Sequence, residues 1–289
     1  MTPRVWLAFL ALCIIWGTPY FFIKHAVHEL SPVWVAWGRL ICASLLLVPI
    51  AAHRGALRGL GRHLHWLLLF ALVELVGPFY LIALGEQYIS SSLAGILLAG
   101  VPLVVVIAAP LVGVHEKVGP RRLIGLATGL IGVIVLLGLD TSLGPKGWLG
   151  AACILAAAFG YAFGPLIIQR HLADKDSLGT VAASVAIAAV VLTVPALFTA
   201  PATMPSIVAL SSVVILGVFC TALALLLFVY VISNAGASRA AVVTYVNPAV
   251  ALLLGVFLLD EHFGAGPALG LVLILLGSWL ATAGSRSAH

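Results

Sequence analysis

The sequence predicts an all-α polytopic membrane protein, with ten transmembrane helices arranged as two inverted five-helix repeats. Three observations predict it: too little charge for a water-facing surface, ten apolar runs of membrane-crossing length, and an internal repeat whose equivalent loops differ in charge. Of 289 residues, 63% are apolar and 8% are Asp, Glu, Lys or Arg, with a mean hydropathy of +1.23. Soluble domains carry about 45–50% apolar and about 25% charged residues. A chain of this length could not cover a water-facing surface with so few charges. This excludes a cytosolic enzyme, a secreted disulfide domain, a disordered tail and a conventional nucleic-acid binder. The lipid bilayer is the expected environment, and no nucleic acid is expected as a partner.

A helix crossing the roughly 30 Å hydrocarbon layer needs about 20 apolar residues. The first run, 4–23, follows Met1-Thr-Pro-Arg4. It is too long for a signal-peptide core and no A-x-A site follows, so it reads as an uncleaved first span. The second, 32–50, holds Arg39 beside Trp34 and Trp37, and the third, 65–85, holds Glu74 near its middle. The fourth and fifth, 92–113 and 121–139, hold Pro102 and the stripe Gly125, Gly129, Gly132. The second half follows with 147–168, 178–199, 207–232, 238–259 and 266–284. Residues 1–140 and 147–284 are thus read as the two repeats, and 285–289 as a short tail. Cys13, Cys42, Cys153 and Cys220 each sit in an apolar run without a C-x-x-C pair. They read as packing residues, not as metal or redox ligands; no cofactor is expected.

The net charge of +5 is explained by topology. With the N-terminus cytoplasmic, cytoplasmic segments hold Arg4, Arg54, Arg58, Arg62, Lys117, Arg121, Arg122, Arg170, Lys175, Arg239 and Arg286, while outer loops hold Lys24 and Lys146. This is the asymmetry of the positive-inside rule, and adding or removing one helix would scramble it.

The repeat is carried by short matches. Ser92-x-Ala94 leads after seven residues to Pro102, and Ser238-x-Ala240 leads with the same spacing to Pro248. Each Pro is followed by an apolar stretch ending at an acid, Glu116 or Glu261, then by Gly125 and Gly132 or Gly270 and Gly277. Trp16 aligns with Tyr161. Five helices per copy force the second copy to enter the membrane upside down. Residues 51–64 and 115–122 accordingly carry arginines that their counterparts 200–206 and 260–267 lack.

These two five-helix units, the Trp16-Gly17-x-Pro19 start and the paired Ser-x-Ala…Pro…Glu segments resemble the EamA-type family of the drug/metabolite transporter (DMT) superfamily, over about 5–284. The resemblance implies a multi-pass carrier of the cell inner membrane with both termini cytoplasmic. It also implies a small-molecule substrate, often an exported amino acid or related metabolite. His262, where the first copy has Lys117, departs from the paired pattern.

Two charges inside spans stand out, since each costs roughly 2.5–3.5 kcal/mol on insertion scales and should face a cavity or partner. Glu74 reads as a proton-coupling carboxylate or a ligand for a substrate amine; the alternative is a structural acid bonded to Arg39 or to backbone. Arg39 reads either as an anchor whose stem snorkels toward the outer interface, or as a group that captures a substrate carboxylate. Trp34 and Trp37 read as interfacial anchors. Trp16 and Tyr20 are i, i+4 on one helical face, and with Tyr80 and Tyr161 they are candidate substrate-binding rings, helix packing being the alternative. Pro102 and Pro248 remove helix hydrogen bonds at equivalent positions and are read as kinks beside a central cavity. Asn247 can offer its amide to cargo, and Tyr245, two residues earlier, is a further substrate-binding candidate. The glycine stripes imply close helix packing, within a protomer or at a dimer contact; a monomer and a homodimer both remain open.

No G-x-x-x-x-G-K-[ST], H-E-x-x-H or G-x-S-x-G is present, and each supports a known chemistry. The sequence-level conclusion is a secondary carrier, not an enzyme, working by alternating access with proton coupling motivated by Glu74. The alternatives are an intramembrane enzyme and a non-transporting structural or receptor protein.

Overall fold

The computed structural model describes residues 2–108, 119–138, 146–235, 243–262 and 264–282, and the regular structure in these segments is all helix, joined by turns and loops. Glu116, Lys117, Ser238, Arg239, Ala240 and the tail 285–289 lie outside the described residues. Ten helices follow in chain order: α1 (Pro3–Ala26), α2 (Pro32–His53), α3 (Leu60–Gly85), α4 (Ser91–Ala108), α5 (Pro120–Gly138), α6 (Gly147–His171), α7 (Ser177–Phe198), α8 (Ile207–Ala235), α9 (Val243–Leu258) and α10 (Ala265–Thr282). Eight are long and apolar enough to cross a membrane, and the stretches Val243–Leu258 and Ala265–Leu280 are shorter apolar helices. Helices are the form that closes every backbone hydrogen bond within one segment, which lipid demands.

The helix starts follow local chemistry. Ser31, Ser90, Asp176 and Ser206 each accept a hydrogen bond from the backbone N–H three residues on, capping α2, α4, α7 and α8. Interruptions follow local chemistry too. Pro19 breaks α1, and the Thr18 hydroxyl takes up the Ile15 carbonyl at 2.8 Å. A turn at Ala99-Gly100 breaks α4, and the Ser278 hydroxyl of α10 donates to the Ala99 carbonyl at 3.2 Å. The kinks are therefore unequal. α4 turns two residues before Pro102, which occupies the start of the next helical stretch, where its missing N–H costs nothing. Pro248 lies inside an unbroken helix.

Two π-helical segments, Ala71–Val76 in α3 and Val218–Leu223 in α8, lie 147 residues apart. Packing is reciprocal between the halves. α1 packs on α8 and α9 as α6 packs on α3 and α4, and α2, α4 and α5 each pack on α7, α9 and α10 respectively. Leu7, Leu45, Val190 and Phe198 form part of an outward apolar surface.

The α5–α10 pair is the closest. A Cβ on Gly277 would lie 2.6 Å from Gly129 Cα and 2.7 Å from the Gly125 carbonyl, and one on Gly270 would lie 2.9 Å from Leu136 Cα. The glycine stripes thus face each other within one chain.

The loops gather at two ends. At the arginine-rich end, Gly179 abuts the Ala56 backbone, and Trp66 stacks on His171 with centroids 3.4 Å apart. At the other end, Glu29 accepts from the Ser206 backbone N–H at 2.6 Å and from its hydroxyl at 2.5 Å. These bonds hold the exposed Glu29 carboxyl below its ordinary range. A depressed carboxyl contributes stability above its unfolded-state value, near 4.3, and loses it as pH falls through the lower folded-state value. Glu29→Gln is therefore expected to lower the melting temperature near neutral pH, with the deficit shrinking toward zero in acid. A deficit that is constant with pH would contradict the assignment.

Candidate functional site

The polar interior is built where α1, α2, α3, α6 and α8 meet. In α3 the π segment sets Glu74 against α6. Gly164 makes room for it, since a Cβ there would overlap the Glu74 carboxylate oxygen, and Gly160 leaves room for the Val73 carbonyl and the Pro78 ring. Glu74 Oε2 is buried without a hydrogen-bond partner among the described residues. Among the described residues no ion pair links it to Arg39.

Arg39 is 7% exposed and turned inward. It does not snorkel, because α8 offers it a partner. Its Nε donates to Thr221 Oγ1 at 2.7 Å, and its guanidinium lies 3.7 Å from the Phe79 ring centroid. Such a ring contact is an electrostatic stabilisation of cations. The Thr221 hydroxyl in turn donates to the Leu216 carbonyl at 2.8 Å, five residues back. Among the described residues the two terminal nitrogens of Arg39 have no hydrogen-bond partner.

The rings divide into two groups. Tyr20 and Tyr161 both pack against the central cluster of Ile23, Leu93, Ile96 and Leu97, and both lie within electrostatic range of Arg39. Tyr161 is also within electrostatic range of Glu74, so it neighbours both the basic and the acidic group. Tyr80 packs beside Tyr161 against Leu75 and Phe79. Trp16 belongs elsewhere. It rests on Phe228, with centroids 4.9 Å apart, in a cluster with Leu12, Cys13 and Val246. The break at Thr18-Pro19 separates Trp16 from Tyr20, and the i, i+4 pairing expected from sequence assumes a continuous helix. Asn247 Oδ1 is buried without a partner, and its backbone carbonyl abuts Gly17. Tyr245 is half-buried one turn from the start of α9.

The outer tryptophans are inter-helix contacts as well as amphipathic surface. Trp37 Nε1 donates to Thr193 of α7 at 3.1 Å, and Trp34 meets Trp37 edge-on at 4.9 Å. A cavity of about 300 Å³ at the arginine-rich end is lined by Val48, Leu57, Leu60, Leu64 and Ile187 among others. It is apolar and distant from Arg39 and Glu74, so it contributes no chemistry to the site.

Thr221, Phe79, Gly160 and Gly164 complete the site and are absent from the sequence reading. One signal could have found the glycines: the Gly160-x-x-x-Gly164 spacing on the helix that carries Tyr161. The arrangement presents a guanidinium bonded to Thr221 and a separate carboxyl group, with Tyr161 in electrostatic range of both, inside a bundle whose outer surface is apolar.

The model of the EamA-like transporter family matches residues 4–138 and again 148–283. The uncharacterized inner membrane transporter YedA of Escherichia coli K12 is 30% identical over 280 residues, covering 96% of this chain and 90% of that protein. The uncharacterized transporter YoaV of Bacillus subtilis is 23% identical, covering 96% and 97%, and an uncharacterized transporter of Archaeoglobus fulgidus is 27% identical, covering 96% and 98%. A solved structure described only as the crystal structure of a protein superposes with a TM-score of 0.68 over 98% of both chains at 19% identity, a likeness of fold. A twice-matched family model and a transporter-named relative aligned along nearly the whole chain join the lipid-adapted bundle and its buried polar site in one conclusion: the chain belongs to the EamA-like transporter family, membrane transporters of the drug/metabolite type.

Proposed function

We propose that this chain is a secondary carrier of a small zwitterionic or amphipathic metabolite, of amino-acid type, that exports it by alternating access with proton coupling at Glu74. The observation that carries the reading is the pair of buried, mutually unpaired groups, Arg39 and Glu74, with Tyr161 in electrostatic range of both. Ionisable groups inside a membrane bundle are costly and mark substrate or proton pathways. The guanidinium takes the cargo carboxylate, and Tyr20, Tyr80 and Tyr161 contact its body. Glu74 takes the amine or, in the empty carrier, a proton.

The architecture proposed with it is two inverted five-helix repeats, 1–140 and 147–284, in the cell inner membrane with cytoplasmic termini. Three features support this: the double match of the family model, the 147-residue spacing of the π segments, and the reciprocal packing of the halves. The equivalent loops 27–31 and 172–176 also lie at opposite ends, one beside Ser206 and the other beside the arginine-rich loop. The positive-inside rule turns that arginine-rich end to the cytoplasm. Inverted repeats with the site at their interface allow two conformations of similar energy.

Counterflow in proteoliposomes tests the reading. Labelled amino acids are expected to accumulate against unlabelled cargo inside, with saturation. Glu74→Gln is expected to weaken counterflow of amine-bearing cargo and to remove the dependence of transport on an imposed pH gradient. Equal gradient dependence in both proteins would remove Glu74 from the coupling step, and the absence of counterflow for any small metabolite would overturn the carrier.

A further inference from the structure

We propose that Glu86, at the arginine-poor end of the bundle, is a proton-binding site whose occupancy controls opening of that end. The inference rests on the carrier reading, because it gives that reading its outer gate. Glu86 follows the last residue of α3, and by sequence it is an ordinary loop acid. In the structure it is 0% exposed, and both carboxylate oxygens are buried without a hydrogen-bond partner among the described residues. An ionised carboxylate held so would lose its hydration with nothing in return. A protonated one loses far less.

The surroundings explain why the group is kept waiting. Lys24, in the last turn of α1, is a neighbouring cation, but its Nζ donates to the backbone carbonyls of Glu86 and Ile89, at 2.8 and 2.9 Å. Glu261, from the loop before α10, is occupied as well. Its carboxylate accepts from the Ser91 and Ser92 backbone N–H groups at 2.7 and 2.9 Å and from the Ser92 hydroxyl at 2.5 Å. It thereby clamps the start of α4 from the other half of the chain. Under this clamp the Ser91 hydroxyl, fully buried, is also without a partner. Besides Lys24 and Glu261, Tyr20 of α1 and Arg39 of α2 lie within electrostatic range of Glu86; the loops at this end also carry His28, Glu29, Asp260, His262 and Lys146, whose Nζ lies 5.8 Å from the Tyr88 ring.

The cycle follows from these positions. With the clamp closed, Glu86 carries a proton. When Glu261 leaves the α4 start, water enters, and the Glu86 proton passes from its carboxyl oxygen to that water. The resulting carboxylate takes the Lys24 ammonium and the Ser91 hydroxyl as partners. Closing reverses the steps and takes one proton from the outside. Low external pH therefore favours the closed outer end, and high pH favours the open one.

The test uses the full chain in lipid nanodiscs, with its four native cysteines replaced by alanine and a probe thiol introduced by Ser91→Cys. Labelling by a membrane-impermeant maleimide reads opening of the clamp, and comparison with the same protein bearing Glu86→Gln cancels the pH dependence of the thiol itself. The intact-to-Gln ratio of labelling rates is expected to climb by up to about tenfold per pH unit between the midpoint of the water-exposed Glu86 carboxyl and that of the buried one, and to level off above the latter. A ratio that stays flat across about pH 6 to 9, the range in which buried glutamates are known to titrate, would overturn the proposal. An infrared carbonyl band of protonated carboxyl is also expected to lose intensity in Glu86→Gln, and an unchanged band would overturn it independently. Neither measurement uses cargo. A pH-linked ratio together with failed counterflow would therefore sink the carrier and leave the proton site standing.

Discussion

Gly277→Val is expected to destabilise the protein by about 3 kcal/mol or more, the upper part of the range for overpacking a tight interior. The new side chain would meet Gly129 and Gly125 backbone atoms, which no rotamer change can move aside. Helices in lipid associate chiefly through close van der Waals packing, because lipid tails are as apolar as leucine. Pushing α10 away from α5 therefore removes much of what holds the pair. Gly61→Ala is the matched control, since nothing lies within 4 Å of its added Cβ, and its effect is expected to be near zero. Thermal unfolding in mild detergent measures both. Similar losses at the two positions, or a change of oligomeric state with Gly277→Val, would show that the stripe does not act inside one chain.

Arg39→Ala is expected to be the most damaging change to transport that leaves the fold intact. A charge-assisted hydrogen bond is worth about 1.5–3 kcal/mol, which corresponds to roughly ten- to a hundredfold in apparent affinity for a carboxylate cargo. Folding should tolerate the change. Removing a buried charge that lacks a carboxylate partner also removes its desolvation cost, against the loss of the Thr221 bond and the Phe79 contact. Arg39→Lys keeps the charge but lacks the planar fork, so an intermediate loss is expected. The discriminating measurement uses the methyl ester of a transported amino acid. If Arg39 binds the carboxylate, the ester is carried equally well, or equally poorly, by both proteins. Loss of ester and free-acid transport in the same proportion would reduce Arg39 to a packing anchor.

Much of the fold is legible in the sequence because hydropathy reports a transfer free energy residue by residue. The apolar runs coincide with the described helices to within a few residues, and the glycine stripes of 125–132 and 270–277 are the contact between α5 and α10. Glu74 and Arg39 are legible for the same reason, since a charge among apolar neighbours stands out. Glu261 is legible as the end of a repeat unit, but its partners Ser91 and Ser92 lie 170 and 169 residues away. Thr221 is invisible beside Cys220 and Ala222 until α8 is laid against α2. The π segments leave no local mark, and the split between Trp16 and Tyr20 depends on how the chain resumes after Pro19.

From composition and order alone the chain is committed to a lipid bilayer, to its set of helical runs and to a basic and a non-basic set of loops, because each of these is a contest between a side chain and its solvent. Only the tertiary structure decided that Arg39 turns inward to Thr221, that Gly164 admits Glu74, and that Glu86, a loop acid by position, is sealed from water. Those outcomes depend on which helix lies against which. Among helices that are all nearly equally apolar, that choice rests on shape and on a few distant hydrogen bonds, not on any residue's own preference.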